Sequence, residues 1–419
     1  MNRLQALRDA GVSIWLDTLS RELLDSGDFA RLIADYAVTG ATSNPTIFAK
    51  AITGSDSYDD QLRGAAASGV RDPQQLFFEL ALEDIRRAAD LLRPAYDDSD
   101  GRDGFVSFEC TPDLAGDSDA TIEQALELWA RIERPNAMIK VPATDAGIPA
   151  IEELTAQGVN VNITLLFSVA RYEQVIDAYM SGLERRLASG DSVHAIASVA
   201  SFFVSRVDAK ADPLLPADSS LRGRVAMANA RWAYARYLDR FGDEPWLADD
   251  RWRALRAAGA RPQRPLWAST GTKNSAYSDV LYVEKLIARD VVNTMPEGTL
   301  RAFADHGEVD QAIGIAGAAN ATLRRARGAG VDLDAVTAEL EREGVRSFCD
   351  SYHDLLGCIE TKVRRVSRPE PAAAHFGSDQ MANGTHGHLG RHAEASAHDS
   401  YGTPNDTGAA PRGSAARRR

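Results

Sequence analysis

The chain has 419 residues, 44% of them hydrophobic and 26% charged, a balance that fits a soluble globular protein with material for one large core or two smaller ones. Its net charge of -13 argues against general nucleic-acid binding, because that affinity comes from basic groups displacing counterions from phosphates. A pocket for one small phosphate group needs only a few local cations and remains compatible with an acidic chain. The opening residues Met1-Asn2-Arg3-Leu4-Gln5 show neither the apolar stretch nor the cleavage site of a signal peptide. No run approaches the ~20 apolar residues of a membrane span, so a cytoplasmic protein without membrane association is expected. Cys110, Cys349 and Cys358 are too few and too scattered for a disulfide framework or a closed zinc site, and packing roles are expected for them.

From the N-terminus, short apolar runs occur at 13–17, 37–42, 104–110, 137–141, 159–165, 195–201, 265–269 and 291–295. Longer amphipathic stretches lie between them, among them 119–132, 168–187, 221–241 and 278–287, several opening on a Ser, Thr or Asp able to cap a helix. Strands alternating with helices imply parallel pairing. Eight such units within residues 1–366 predict an α/β protein, a closed (β/α)8 TIM barrel with extra helices, rather than an open doubly wound sheet. No glycine-rich dinucleotide or phosphate-loop fingerprint follows any run, which weakens the open sheet further. Residues 367–419 are rich in Pro, Gly, Ala, Ser and His, lack apolar periodicity and end in three arginines, so they read as a disordered low-complexity tail. That tail holds five of the eight histidines. Even His386, His388 and His392 lack the Cys or carboxylate partners of a specific metal site, and no metal is expected.

Barrels of this kind place their chemistry at the C-terminal ends of the strands. The polar residues in or just after the runs are Asp17, Asn44, Glu109, Lys140, Asn162, Thr164, Ser201 and Ser269. Each has a structural alternative: Asp17 and Ser201 could cap helices, Asn44 before Pro45 could form a turn, and Thr164 suits a strand. Lys140 is the most informative. Only 6 of the 47 basic residues are lysines, yet one sits inside Ala137-Met138-Ile139-Lys140-Val141-Pro142. An amine among apolar neighbours can lose its proton and attack a carbonyl to form a Schiff base, which a guanidinium cannot do. The alternative is a lysine whose head escapes to water at the strand end. Lys50, Lys210, Lys285 and Lys362 read as surface or helix-face groups, and His194 and His353 as packing or solvated residues.

The segments SIWLDTLSRELL, GATSNPTIF, FVSFECTPDLAGDSDAT, MIKVPAT, GVNVNITLLFS, SVASFFVSRVD and LWASTGTKN, in that order, resemble the transaldolases of high-GC bacteria. The resemblance covers about residues 10–345. It implies a cofactor-free enzyme of the pentose phosphate pathway, a Schiff-base-forming transferase. Such an enzyme moves a dihydroxyacetone unit from sedoheptulose 7-phosphate to glyceraldehyde 3-phosphate, giving erythrose 4-phosphate and fructose 6-phosphate. By position it makes Lys140 the nucleophile, Asp17 the acid/base of bond cleavage, and Glu109 with Thr164 the pair that holds a water. Asn44 and Asn162 then orient substrate hydroxyls, Ser201 lies near the three-carbon unit, and Arg206, Ser269 and Lys273 grip the substrate phosphate. Arg206 could instead pair with Asp208 or another acid.

One position departs from the wider pattern. Many transaldolases carry an arginine two residues after the serine of the seventh strand, where Gly271 stands here, so Lys273 is expected to replace it. Phe203 is expected to line the pocket beside the water. The related short fructose 6-phosphate aldolases carry a tyrosine there, so phenylalanine favours transfer over simple cleavage. A lyase releasing free dihydroxyacetone and a catalytically silent barrel are the competing readings. The expected partners are sugar phosphates, and the helix faces leave monomer or homo-oligomer open.

Overall fold

The computed structural model describes residues 2–242, 249–309 and 316–366. The eight strands are β1 (Val12–Leu16), β2 (Gly40–Thr42), β3 (Val106–Glu109), β4 (Ala137–Pro142), β5 (Val161–Leu166), β6 (Ser198–Phe203), β7 (Arg264–Ala268) and β8 (Val291–Met295). They pair in parallel in sequence order, and β8 closes onto β1. All eight predicted runs are strands, with ends shifted by up to three residues. The shift at the sixth changes one inference: β6 continues to Phe203, so Ser201 is an interior strand residue and not its end. The predicted helices appear as Ser118–Ile132, Val169–Ala188, Val225–Phe241 and the short Leu281–Lys285.

The strands read as continuous apolar runs because a barrel strand is covered on both faces, by side-chain layers inside and helices outside. Every residue of β4 is buried. Side chains alternate across a strand, so Lys140, whose amine reaches into the mouth, sends Ile139 and Val141 outward against the helices. Burying each contributes about 1.5–3 kcal/mol, which holds β4 in the register that aims Lys140 inward. Inside, Asn162 of β5 donates from Nδ2 to Ser107 Oγ of β3 at 2.9 Å, skipping β4. Groups from alternate strands therefore share one layer.

The 34-residue helix Leu333–Val366 has no counterpart among the predicted elements. It lies against the helices Pro45–Gly54 and Asp59–Ala67 and the turn Pro112–Leu114, close to the C-terminal ends of β2 and β3. Thr46 Oγ1 donates to Ser351 Oγ at 2.8 Å, and His353 Nε2 lies 2.9 Å from Asp113 Oδ2. Gly344 lets this helix meet the end of β5, because a Cβ there would stand 2.9 Å from Leu165 Cδ2. Lys362 corrects the expectation of a surface lysine. It is on a helix face but buried, donating to Ser55 O at 2.6 Å and Asp59 Oδ1 at 2.9 Å. Lys50 and Lys285 are exposed, and Lys210 pairs with Glu339 and Glu343. The predicted tail and its histidines lie outside the described residues. Among the described residues, no helix is long and apolar enough to cross a membrane.

Candidate active site

Lys140 is only 5% exposed, so its head does not escape to water. Its Nζ donates to Ser43 O, just past β2, at 3.0 Å and lies 3.7 Å from Glu109 Oε2. That distance makes an ion pair but is too long for a good hydrogen bond. Backbone register sets the arrangement, with Glu109 opposite Lys140 and Lys140 opposite Asn162. Burial pushes the Glu109 carboxyl up to about 7, against the pull of Lys140, while nearby Asp17 raises it further. Thr164 is wholly buried at the end of the same patch, with Pro142 of β4 as its register partner. Among the described residues, Glu109 Oε2 and Thr164 Oγ1 find no hydrogen-bond partner, and both are buried. In a folded interior such atoms call for a polar partner, commonly water.

Asn162 is held at both ends of its amide: Nδ2 donates to Ser107 Oγ, and Oδ1 accepts from Ser201 Oγ at 2.6 Å. Ser201 is therefore no helix cap. Neither is Asp17, since Ser20 caps the following helix Arg21–Asp25. Asp17 is half-buried in the mouth, its backbone N–H donating to Met295 O at 2.8 Å and its Oδ1 accepting from Thr42 Oγ1 at 2.8 Å. Burial raises its carboxyl above the ordinary carboxylate range, and Lys140, the Thr42 hydroxyl, Arg206 and Lys273 partly offset this. Asn44 does serve local structure: its Oδ1 accepts from Ile47 N–H at 2.9 Å and caps Pro45–Gly54. This orients the half-buried side chain and uses its oxygen, leaving the amide NH2 as its donor.

The expected phosphate groups stand on the β6–β7 side. Arg206, in the first turn of Ser205–Ala211, lies over the Phe203 ring at 5.3 Å from its centroid. It makes no ion pair within 4.0 Å among the described residues, while Asp208 accepts instead from Ala226 N–H at 2.8 Å and Tyr282 Oη at 2.9 Å. The alternative of an Arg206–Asp208 pair fails. Phe203 is buried and packs on Phe167 at 5.2 Å between centroids, so its ring is itself fixed where it supports the guanidinium. Ser269 follows β7 directly, at φ 55°, with its Oγ 3.0 Å from Ser205 Oγ. Lys273 is exposed on the loop beyond.

Five partners were not singled out in the sequence: Thr42, Ser43, Ser107, Ser205 and Thr294. Ser107 carried a signal, since two residues before Glu109 on a strand is the same face. The others are visible only once the elements meet, as when Thr42 Oγ1 and Thr294 Oγ1 approach to 2.7 Å. A cavity of about 370 Å³ lies outside the barrel between Val169–Ala188, Val225–Phe241, Ala316–Gly328 and Leu333–Val366, and none of the expected site residues line it. No group of three or more His, Cys, Asp or Glu side chains among the described residues is placed to hold a metal.

A family model described as transaldolase/fructose-6-phosphate aldolase matches residues 14–359. A transaldolase of Saccharopolyspora erythraea is 51% identical over 367 residues, 86% of this chain and 98% of the relative. Transaldolases of Acidothermus cellulolyticus and Mycobacterium tuberculosis are 48% and 49% identical, over 87% and 84% of this chain and 98% and 95% of theirs. A match of this extent over a barrel with this mouth leads to one conclusion: the chain belongs to the transaldolase/fructose-6-phosphate aldolase family.

Proposed function

We propose that this chain is a transaldolase that carries a dihydroxyacetone unit on Lys140 from sedoheptulose 7-phosphate to glyceraldehyde 3-phosphate, yielding erythrose 4-phosphate and fructose 6-phosphate. The observation that carries the reading is a buried amine beside a carboxyl poised near neutrality. The Lys140 amine adds to the donor ketone, and the carbinolamine loses water to give an iminium. Glu109, at about 7, both gives and takes protons at working pH, through a water that also meets Thr164. Asp17 then accepts the proton of the donor C4 hydroxyl as the C3–C4 bond breaks. The electron pair moves into an enamine on Lys140, and the aldose phosphate leaves. Addition of the enamine to the acceptor aldehyde, with Asp17 returning the proton, and hydrolysis at Lys140 complete the transfer.

The Asn44 amide and the fixed Asn162 and Ser201 groups orient the three-carbon unit. Arg206, Ser269 and Lys273 hold the phosphate, Lys273 as a point charge in place of a fork. Phe203 favours transfer over release, since a phenyl ring offers water no proton. Three unpaired cysteines support a cytoplasmic setting. Borohydride trapping in fructose 6-phosphate, with and without erythrose 4-phosphate, followed by peptide mass mapping tests the reading. A three-carbon adduct on Lys140 that vanishes with acceptor is expected. An adduct indifferent to acceptor, with free dihydroxyacetone accumulating, would mean a lyase, and no adduct would return the silent barrel.

A further inference from the structure

The helix Ser205–Ala211 and the loop 269–280 that follows β7 are joined at two points, with Arg206 and Lys273 between them. One point is Ser205 Oγ to Ser269 Oγ at 3.0 Å. The other is Tyr277, whose Oη donates to Asp212 Oδ2 at 2.6 Å. Asp212 directly follows the helix and is itself buried and fixed, its Oδ1 accepting from Gly223 N–H at 2.9 Å. The Tyr277 ring rests on the bare face of Gly223, where a Cβ would stand 2.8 Å from Cζ; at φ +67° that position also suits glycine. Within the loop, Tyr277 N–H donates to Asn274 O at 3.0 Å and Thr272 Oγ1 to Ser278 O at 2.7 Å. The turn that displays Lys273 is thereby built back from Tyr277. Lys273 to Ala276 are otherwise exposed.

We infer that Tyr277, through Asp212, is a positioning and specificity residue that sets Lys273 against Arg206 and so tunes recognition of phosphorylated donors. The inference rests on the proposed phosphate role of this side of the mouth. With the Tyr277 hydroxyl removed, the loop keeps its anchors at Ser269, at Thr270, whose Oγ1 donates to Asn293 Oδ1 at 3.0 Å, and at Asp279, 2.9 Å from His306 Nε2. The turn 272–277 between them loses its tie to the helix end, and the exposed lysine on it must be ordered anew by each substrate. The groups around Lys140 lie on strands and do not depend on this tie.

The test is the ratio of kcat/KM for fructose 6-phosphate to kcat/KM for unphosphorylated fructose in Tyr277→Phe, with thermal melting as a check on folding. The ratio is expected to fall roughly tenfold, through KM for the phosphorylated donor, with kcat within about twofold. An unchanged ratio, or an equal loss with both donors, overturns the inference. Should Tyr277→Phe fail to fold, Asp212→Ala, which removes the acceptor of that bond, carries the same measurement with the same two outcomes. Lys273→Ala run in parallel separates the levels. A lowered ratio there with an unchanged one in Tyr277→Phe sinks the positioning role alone. Unchanged ratios in both sink the phosphate reading of this loop as well.

Discussion

Glu109, Lys140, Asn162, Thr164 and Ser201 project from four neighbouring strands and are all buried, whereas Arg206, Ser269 and Lys273 stand on a helix turn and a loop within reach of water. On the strand side, backbone register and a dry surround set distance and protonation together, which is what proton transfer and covalent attack need. On the loop side, the charges proposed to recognise phosphate stand on elements tied by a few side-chain bonds, where a shift of a fraction of an ångström costs affinity more than rate. Asp17 stands between the two, since Lys140, Arg206 and Lys273 all act on its carboxyl. The electrostatic coupling of the halves passes through the group proposed to move the proton during bond cleavage.

The strongest way to break this contrast is to make one substitution on both sides. Lys140→Arg keeps a cation but removes an amine able to deprotonate, and kcat is expected to fall by about 10⁴-fold or more. Lys273→Arg should leave kcat within about threefold and hold or lower KM for fructose 6-phosphate, because a guanidinium grips phosphate with two donors. Steady-state kinetics on both proteins decides it, and equal losses would mean that the two sides do not divide the work as described.

Glu109→Gln is expected to have the next largest effect, about 10²-fold on kcat. The carboxyl titrates near 7, so its basic form is lost as pH falls through that value, and the rate of the parent protein should decline on that limb. A pH profile of the glutamine variant should lose the limb; a limb that persists would assign it to another group, with Asp17 first in line.

The smallest expected effect is on stability beneath the loop side. Burial pushes the Asp208 carboxyl from 3.8 up to about 7. Between those values the folded chain keeps a proton that the unfolded chain releases. Its contribution to stability is therefore full below pH ~3.8 and lost as pH rises through ~7. Asparagine can keep the bonds to Ala226 and Tyr282 without the charge. Asp208→Asn should thus melt roughly 2–4 °C above the parent at about pH 8, with the gap closing toward pH 4. A gap that does not change with pH would point to packing instead.

The eight strands were legible because each is a run of apolar residues bounded by polar segments, and parallel pairing leaves no other economical closure. Lys140 was legible for the same reason, a charge inside such a run. The helix Leu333–Val366 was not, because its amphipathic pattern says only that one face is covered. What covers it, the mouth-side helices and the end of β5, lies up to some 300 residues away in sequence, as in Thr46 to Ser351. Lys362 misled in the same way: on its helix it looks like any surface lysine until Asp59 arrives from another element.

Residue order by itself determined the barrel, the strand that carries the amine, and the chemical kinds of group at the strand ends, because periodicity and burial are local properties of the chain. Tertiary structure alone decided that Glu109 stands 3.7 Å from Lys140, that Asn162 is clamped between Ser107 and Ser201, and that Arg206 faces Phe203 and not Asp208. Each of these is a distance between groups on different elements, and only closure of the barrel fixes such distances.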